Sequence, residues 1–211
     1  MEKNKNISMA VIKRLPKYYR YLDELMRNEV DRISSKELGE KIGFTASQIR
    51  QDLNCFGDFG QQGYGYNVTE LYNQIKSILG LDRGYKAALV GAGNIGQAVS
   101  NYSRFEDLGF RIDAIFDANP KLIGMKIKDV EIRDIDEMKP ILESEKIDIG
   151  IICVPRKNAQ NVADDLIKGG VRAIWNFAPV DLIVPNHVKV ENVHLSESLM
   201  TLIYLLNEQD S

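Results

Sequence analysis

Residues 86–96 read KAALVGAGNIG, a short apolar run followed by three glycines spaced G-x-G-x-x-G, and the helical run QAVSNYSRF comes next. No other stretch restricts the fold as strongly, because the pattern describes a strand, a tight turn and a helix packed close against that strand. Each glycine answers its own demand. Gly91 makes the turn, Gly93 lets a pyrophosphate approach the backbone, and Gly96 lets helix and strand come together. Ala92, Asn94 and Ile95 complete a turn whose free N–H groups and helix dipole favour an anion. The next apolar run, RIDAIFD, ends in Asp117, 21 residues beyond Gly96. An acid there accepts the adenosine ribose hydroxyls and repels a 2'-phosphate, so the pattern predicts NAD rather than NADP.

Strands and helices keep alternating after this point. IDIGIICVP from Ile147, a helix through AQNVADDLIKGG, and VRAIWNFAP from Val171 extend a parallel sheet. Ligands of such sheets lie at the carboxyl ends of the strands, which places Val154, Pro155, Phe177, Ala178 and Pro179 near the far end of the cofactor. That wall is apolar. Oxidised nicotinamide is cationic and reduced nicotinamide is neutral, so burial against it favours NADH. The sequence therefore offers a physical basis for telling the two redox states apart.

The first part of the chain belongs to a different pattern. A helix through YYRYLDELM from Tyr18 carries Tyr18, Tyr21, Leu22 and Leu25 at helical spacing. Ser34 followed by Glu37 forms a capping box that opens a short helix with Leu38 and Ile42 on one face and Gly43 at its end. Thr45 and Gln48 open another, on which Ile49, Leu53 and Phe56 form an apolar stripe ending at Gly57. Two short helices meeting across a Gly turn have the layout of a helix-turn-helix, whose second helix enters the major groove of DNA. Ser47, Gln48, Arg50 and Gln51 lie off the stripe and suit base edges, Arg to guanine and Gln to adenine. Lys36, Thr45 and Tyr64 are further candidate contacts, and Asp52 orients Arg50 or caps locally. DFGQQGYGYN sets Gly60, Gly63 and Gly65 among Phe59, Tyr64 and Tyr66, the pattern of a hairpin wing.

Charge follows the same division: the chain carries −3 overall, but residues 1–57 sum to +3 and 58–211 to −6. A basic end on an acidic body fits a polyanion at that end only. With 44% hydrophobic and 27% charged residues, disorder is excluded. Two cysteines, Cys55 and Cys153, cannot form a disulfide scaffold or a four-thiolate metal site, and both read as packed, inert thiols. MEKNKNISMA lacks the apolar core of a secretory signal, and no apolar run approaches the length of a membrane span. A cytoplasmic protein with no bound metal and no membrane association is expected.

The fold class that follows is α/β: a winged helix-turn-helix domain over residues 1–80 with a linking helix from Thr69 to Leu79, a Rossmann-type domain over 85–193, and a helical segment over 194–211. That last segment presents Leu199, Leu202, Ile203 and Leu206 at helical spacing, a face that has to be buried somewhere.

QIRxDL, FGxFGxxGxGY, GAGNIG, FDANPxxxG, VPxxxAQ and NFAPV occur in this order, and together they resemble the Rex family of redox-sensing bacterial transcriptional repressors. The resemblance extends from Arg14 to the last helix. It implies a homodimer that binds a palindromic operator through its winged helices and NADH or NAD+ through its Rossmann domains. It further implies that NADH releases the DNA, that NAD+ permits binding, and that operators lie upstream of fermentation and respiration genes. It also implies that the helix Leu195 to Asn207 swaps onto the partner subunit, that Tyr102, on the helix after the glycine turn, is a cofactor-binding residue, and that Tyr102 and Arg20 occupy positions implicated in the switch. Gln51 stands where many members carry Lys, and His194 and Leu195 stand where some carry an acid and an aromatic. Operator preference and switch details stay open at those positions.

The rival reading is an NAD-dependent oxidoreductase with an accessory N-terminal domain. It needs a proton donor beside the reacting oxygen. Only His187 and His194 are present as histidines, neither has an acid partner nearby in sequence, and both read as surface or interface residues. A CoA-binding or nucleotide-binding regulatory subunit on a similar fold would leave the helix-turn-helix without a task. No enzymatic activity is expected.

Overall fold

A computed structural model of the chain describes residues 7–57, 59 and 64–209. It divides into two units, Met1–Arg83 and Gly84–Ser211.

In the first unit, α1 (Met9–Arg27) starts nine residues before Tyr18, because Ser8 caps it and Val11 and Leu15 extend the buried stripe backwards to meet Tyr18, Leu22 and Leu25. Pro16 lies inside this helix, where it withholds one backbone donor and leaves the tyrosine stripe intact. β1 (Arg32–Ile33) leads into α2 (Ser35–Ile42), which opens on the full Ser34–Glu37 capping box and closes on Gly43 in the left-handed conformation. α3 (Ala46–Asn54) is capped by Thr45, whose hydroxyl accepts from the Gln48 N–H. It ends at Asn54, two residues short of Phe56, the last residue of its stripe, and Cys55 and Phe56 follow in a turn.

β2 (Tyr66–Asn67) pairs antiparallel with β1, Ile33 opposite Tyr66. The local hairpin across Gly60 and Gly63 lies outside the described residues, and the strand that pairs with β2 precedes α2. A two-residue strand carries too little period to be seen in the sequence. Gly65 adopts φ +71°, and a Cβ there would meet the Ile33 carbonyl oxygen at 2.7 Å, so this position excludes any other residue. Asn67 caps α4 (Val68–Leu79), which packs along α1.

The second unit begins with β3 (Tyr85–Val90), α5 (Asn94–Ser100) and β4 (Phe110–Asp117). A short antiparallel pair, β5 (Lys126–Ile127) and β6 (Val130–Asp134), precedes α6 (Met138–Glu145). β7 (Ile149–Ile152), α7 (Arg156–Lys168), β8 (Ala173–Asn176), β9 (Lys189–Asn192) and α8 (Leu195–Gln209) complete it. The seven strands are ordered β5-β6-β4-β3-β7-β8-β9, and every pair except β5–β6 is parallel.

Alternate residues of β3 serve opposite faces of the sheet. Ala88 and Val90 join Phe116, Leu142 and Leu166, while Ala87 and Leu89 join Ile115, Ile132 and Ile151. This two-sided burial is why the strand reads as a continuous apolar run. Fully burying a Leu or Phe contributes about 1.5–3 kcal/mol, so the central strands anchor the unit. α5 is shorter than the run QAVSNYSRF: it stops at Ser100, and Ser103–Phe105 form a separate 3-10 turn.

Candidate functional site

The chain leaves β3 toward β4 and β6 on one side of the sheet, then returns to β7, β8 and β9 on the other. At this reversal the carboxyl ends of β3, β4, β7 and β8 surround a cleft of about 770 Å³. Its size suits a cofactor, for which pockets of about 300–1,000 Å³ are usual. Val90, Gly91, Gly93, Asn94 and Ile95 form one side, and Asp117 and Ala118 another. Val154, Pro155, Phe177 and Pro179 supply the apolar wall.

The glycines divide between holding the turn and leaving room. Gly91 has φ +101°, and a Cβ there would stand 2.6 Å from the Cys153 carbonyl oxygen. A Cβ on Gly96 would overlap the Gly91 carbonyl oxygen, so these two glycines are required by the protein's own packing. Gly93 differs. Its φ is −73° and a Cβ there meets nothing within 4 Å. The space beside the first N–H groups of α5 is therefore open, and such N–H groups favour an anion.

Asp117 ties this turn to the neighbouring strand. One carboxylate oxygen accepts from the Ala92 N–H at 2.6 Å and the other from the Asn119 N–H at 2.7 Å. Ala92 itself is buried beneath the turn and is absent from the lining. Among the other proposed residues, Ala178 is also buried in the core. Tyr102 lies outside the cleft: it caps the 3-10 turn, its ring is 4.8 Å from Phe105, and it borders a separate cavity of about 150 Å³ with Phe110 and Lys128.

Asn158, Asn161, Val162 and Asp165 of α7 also line the cleft, as do Ile135 and Met138. Their spacing after Val154 and Pro155 is that of one helix face, a signal present in the sequence but masked by the apolar stripe on the opposite face, Ala159, Ala163 and Leu166. Cys153 reaches the lining and is only partly buried, and burial raises its thiol to about 12, which keeps it protonated. Among the described residues of the lining there is no His, Lys, Arg or Tyr. No group of three or more His, Cys, Asp or Glu among the described residues is arranged to hold a metal.

In the first unit α3 buries Ile49 and Leu53 and exposes Ser47, Arg50 and Gln51, with Gln48 half-buried at the edge. Thr45, Lys36 and Tyr64 are exposed as well, and Arg32 donates to the Tyr64 carbonyl at 3.1 Å. Arg50 donates to the Ser35 hydroxyl at 2.9 Å, which holds its guanidinium over the start of α2. Arg20 is exposed on α1.

Asp52 does neither task assigned to it from sequence. It is buried, and its carboxylate takes Arg14 Nε and Nη2 at 2.6 and 2.7 Å and the Tyr18 hydroxyl at 2.5 Å. Burial pushes its pKa up, but the hydrogen bonds from Arg14 and Tyr18 and the Arg14 charge outweigh burial and hold it below the usual value. α3 is thereby locked to α1 by a link that spans 38 residues of sequence. Cys55 is half-buried and donates to the Gln51 carbonyl at 3.3 Å.

His194 has an acid partner after all, because Asp181 Oδ1, 13 residues earlier in sequence, lies 3.3 Å from its Nε2. His187 is exposed. α8 shows Leu195, Leu199, Met200, Leu202, Ile203 and Leu206 at 48% to 64% exposure within the single chain. No helix among the described residues is long and apolar enough to cross a membrane.

Residues 82–180 match the family model of a CoA binding domain, and residues 6–54 match that of a putative DNA-binding protein N-terminus. A redox-sensing transcriptional repressor Rex of Clostridium beijerinckii is 87% identical over 211 residues, covering 100% of both chains. Another of Clostridium botulinum, strain Alaska E43, is 76% identical over 99% of this chain and 100% of its own. Among solved structures, RSP, a Rex-family repressor, in complex with β-NADH superposes with a TM-score of 0.91 at 56% identity, covering 98% of this chain and 97% of that one. RSP with β-NAD+ and operator DNA gives 0.92 at 59% identity, over 98% and 95%.

Proposed function

This chain belongs to the Rex family of redox-sensing transcriptional repressors, and on that premise we propose that it binds palindromic operator DNA as a cytoplasmic homodimer and releases it when NADH enters the cleft of its second unit. The winged-helix part, residues 1–80, reads DNA. Residues 85–193 bind the dinucleotide, and residues 194–211 cover their apolar face on the partner subunit.

One observation carries the reading furthest: a dinucleotide-sized cleft at the carboxyl ends of β3, β4, β7 and β8, in a chain that matches over 98% of its length a repressor solved with β-NADH and with β-NAD+ and operator DNA. A dinucleotide held there acts as a signal to the DNA-binding part of the same chain, and the protein as a regulator rather than an enzyme. The residues fit the dinucleotide: space is left open at Gly93, the N-terminus of α5 faces it, and Asp117 stands at the end of β4. The apolar wall of Val154, Pro155, Phe177 and Pro179 supports a preference for neutral, reduced nicotinamide over the cation.

Exposed apolar area on a single helix of this size marks an interaction surface, and an isologous swap with a second copy satisfies both copies at once. Such a dimer presents two α3 helices about a two-fold axis, which matches a palindrome. The test is operator binding measured at fixed total dinucleotide while the NADH to NAD+ ratio is raised. The proposal expects binding to fall as NADH replaces NAD+. Binding that ignores the ratio contradicts it.

A further inference from the structure

The apolar wall of the cleft continues, hydrogen bond by hydrogen bond, into the root of α8. Asn176, the last residue of β8, is fully buried. Its Nδ2 donates to the Val180 carbonyl at 2.7 Å and to Asn192 Oδ1 at 2.9 Å, and its Oδ1 accepts from the Ala178 N–H at 3.0 Å. Asn192 ends β9 and donates from Nδ2 to Asp181 Oδ1 at 3.0 Å. The same oxygen lies 3.3 Å from Nε2 of His194, the residue before α8. From the α7 side, Gln160 grips the same loop in both directions, donating to the Ile183 carbonyl at 2.9 Å and accepting from the Ile183 N–H at 3.0 Å.

The segment 177–183 is therefore fixed at both ends and carries Phe177 and Pro179 into the cleft between them. A buried amide with all its partners engaged has one good geometry, and a shift of one partner obliges the others to follow or leaves a polar group unpaired. Whatever presses on Phe177 or Pro179 thus pulls on Asn192 through Asn176, and on His194 through Asp181. Asp181 itself is exposed and touches nothing in the cleft.

We propose that Asn176, Asp181 and Asn192 form a positioning relay that transmits the state of the nicotinamide-facing wall to the root of α8, with Asp181 as its junction. The relay rests on the dinucleotide reading given above. Its residues serve coupling rather than affinity, because none of the three lines the cleft and none lies in the DNA-reading unit. Asp181→Asn keeps the carbonyl oxygen that accepts from Asn192, whereas Asp181→Ala removes the junction.

The experiment uses full-length dimer of the wild type and both variants. Operator dissociation constants are measured without NADH and with saturating NADH, and NADH affinity is followed by nicotinamide fluorescence. In Asp181→Ala, NADH affinity and NADH-free operator affinity should stay within about threefold of wild type, while the factor by which NADH weakens operator binding falls about tenfold. Asp181→Asn should recover most of that factor. A wild-type factor in Asp181→Ala overturns the relay, and so does a variant that loses DNA and NADH affinity together with thermal stability, which is the mark of a merely structural role. A wild type whose operator affinity ignores NADH overturns the proposed function and the relay with it, so the two failures are told apart by the wild-type measurement alone.

Discussion

Asp117 and Ala92 stand 25 residues apart in sequence and are joined by a 2.6 Å hydrogen bond from the Ala92 N–H to the carboxylate. The acid proposed to meet a ribose is thus also the clasp of the glycine turn. Asp117→Ala should remove both. A hydrogen bond to a charged group is worth about 1.5–3 kcal/mol, so NADH affinity should fall roughly tenfold to a hundredfold. The gap between NADH and NADPH should narrow, because the carboxylate no longer repels a 2'-phosphate. Isothermal titration with both dinucleotides measures each effect, and an unchanged ratio of the two affinities would remove Asp117 from the ribose.

Gly93 and Gly96 should separate ligand from fold. A Cβ at Gly96 overlaps the Gly91 carbonyl, so Gly96→Ala should lower thermal stability as well as binding. A Cβ at Gly93 meets nothing within 4 Å in the protein. Gly93→Val should keep the melting temperature and lose NADH affinity. Retained affinity in Gly93→Val would show that the dinucleotide lies elsewhere.

Arg50 and Lys36 should differ in kind. Arg50, exposed on α3 and steadied by Ser35, is the residue proposed to read a base, so Arg50→Ala should cost about 1–3 kcal/mol of discrimination between operator and mismatched sites. Lys36→Ala, at the start of α2, should weaken all sequences alike and flatten the salt dependence. Competition binding at two salt concentrations distinguishes them. If Arg50→Ala leaves discrimination intact, α3 does not read the bases through this residue.

How much of this was legible in the sequence depended on the range of the interactions involved. The glycine turn, the Ser34 capping box, the Asp117 strand end and the apolar face of α8 are set by neighbours within a few residues, and pattern alone exposes them. The role of Asp52 was not legible. Its partners lie 34 and 38 residues upstream on α1, and in sequence it sits beside Arg50 and Gln51 as one more polar residue of an exposed face. The same holds for the contact between Asp181 and His194 and for β1, a strand of two residues visible only once β2 pairs with it. Tyr102, which reads as part of a helix continuing from the glycine turn, falls outside the cleft because α5 stops at Ser100.

The Asp52 cluster carries its own pH signature. Its folded pKa lies below the ordinary 3.8, so its contribution is full above that value and is lost as pH falls through the lowered folded value. Asp52→Asn should destabilise the first unit by about 3 kcal/mol at neutral pH, at the low end for a buried pair because Arg14 retains some contact with water. The wild type should then lose stability more steeply than the variant as pH drops below 3.8. Chemical denaturation of both proteins across that range checks the difference in slope, and parallel curves would place the stabilising charge elsewhere.

Removal of residues 195–211 tests assembly. α8 leaves its apolar side chains exposed among the described residues of its own chain, so truncation before Leu195 should convert dimer to monomer in sedimentation and abolish high-affinity binding to a two-half-site operator. A dimer that survives the truncation would assign that face to some other partner.

The central claim is that one molecule couples a dinucleotide cleft to a DNA-reading helix, and coupling in binding free energy is reciprocal. The most direct measurement is NADH affinity with and without saturating operator DNA, at equal salt because phosphate contacts make the DNA term salt-dependent. Typical couplings of about 1–3 kcal/mol predict that operator DNA weakens NADH binding about 5- to 150-fold, by the same factor with which NADH weakens operator binding. Identical NADH affinities in the two titrations would contradict the account and leave the cleft without a signalling role.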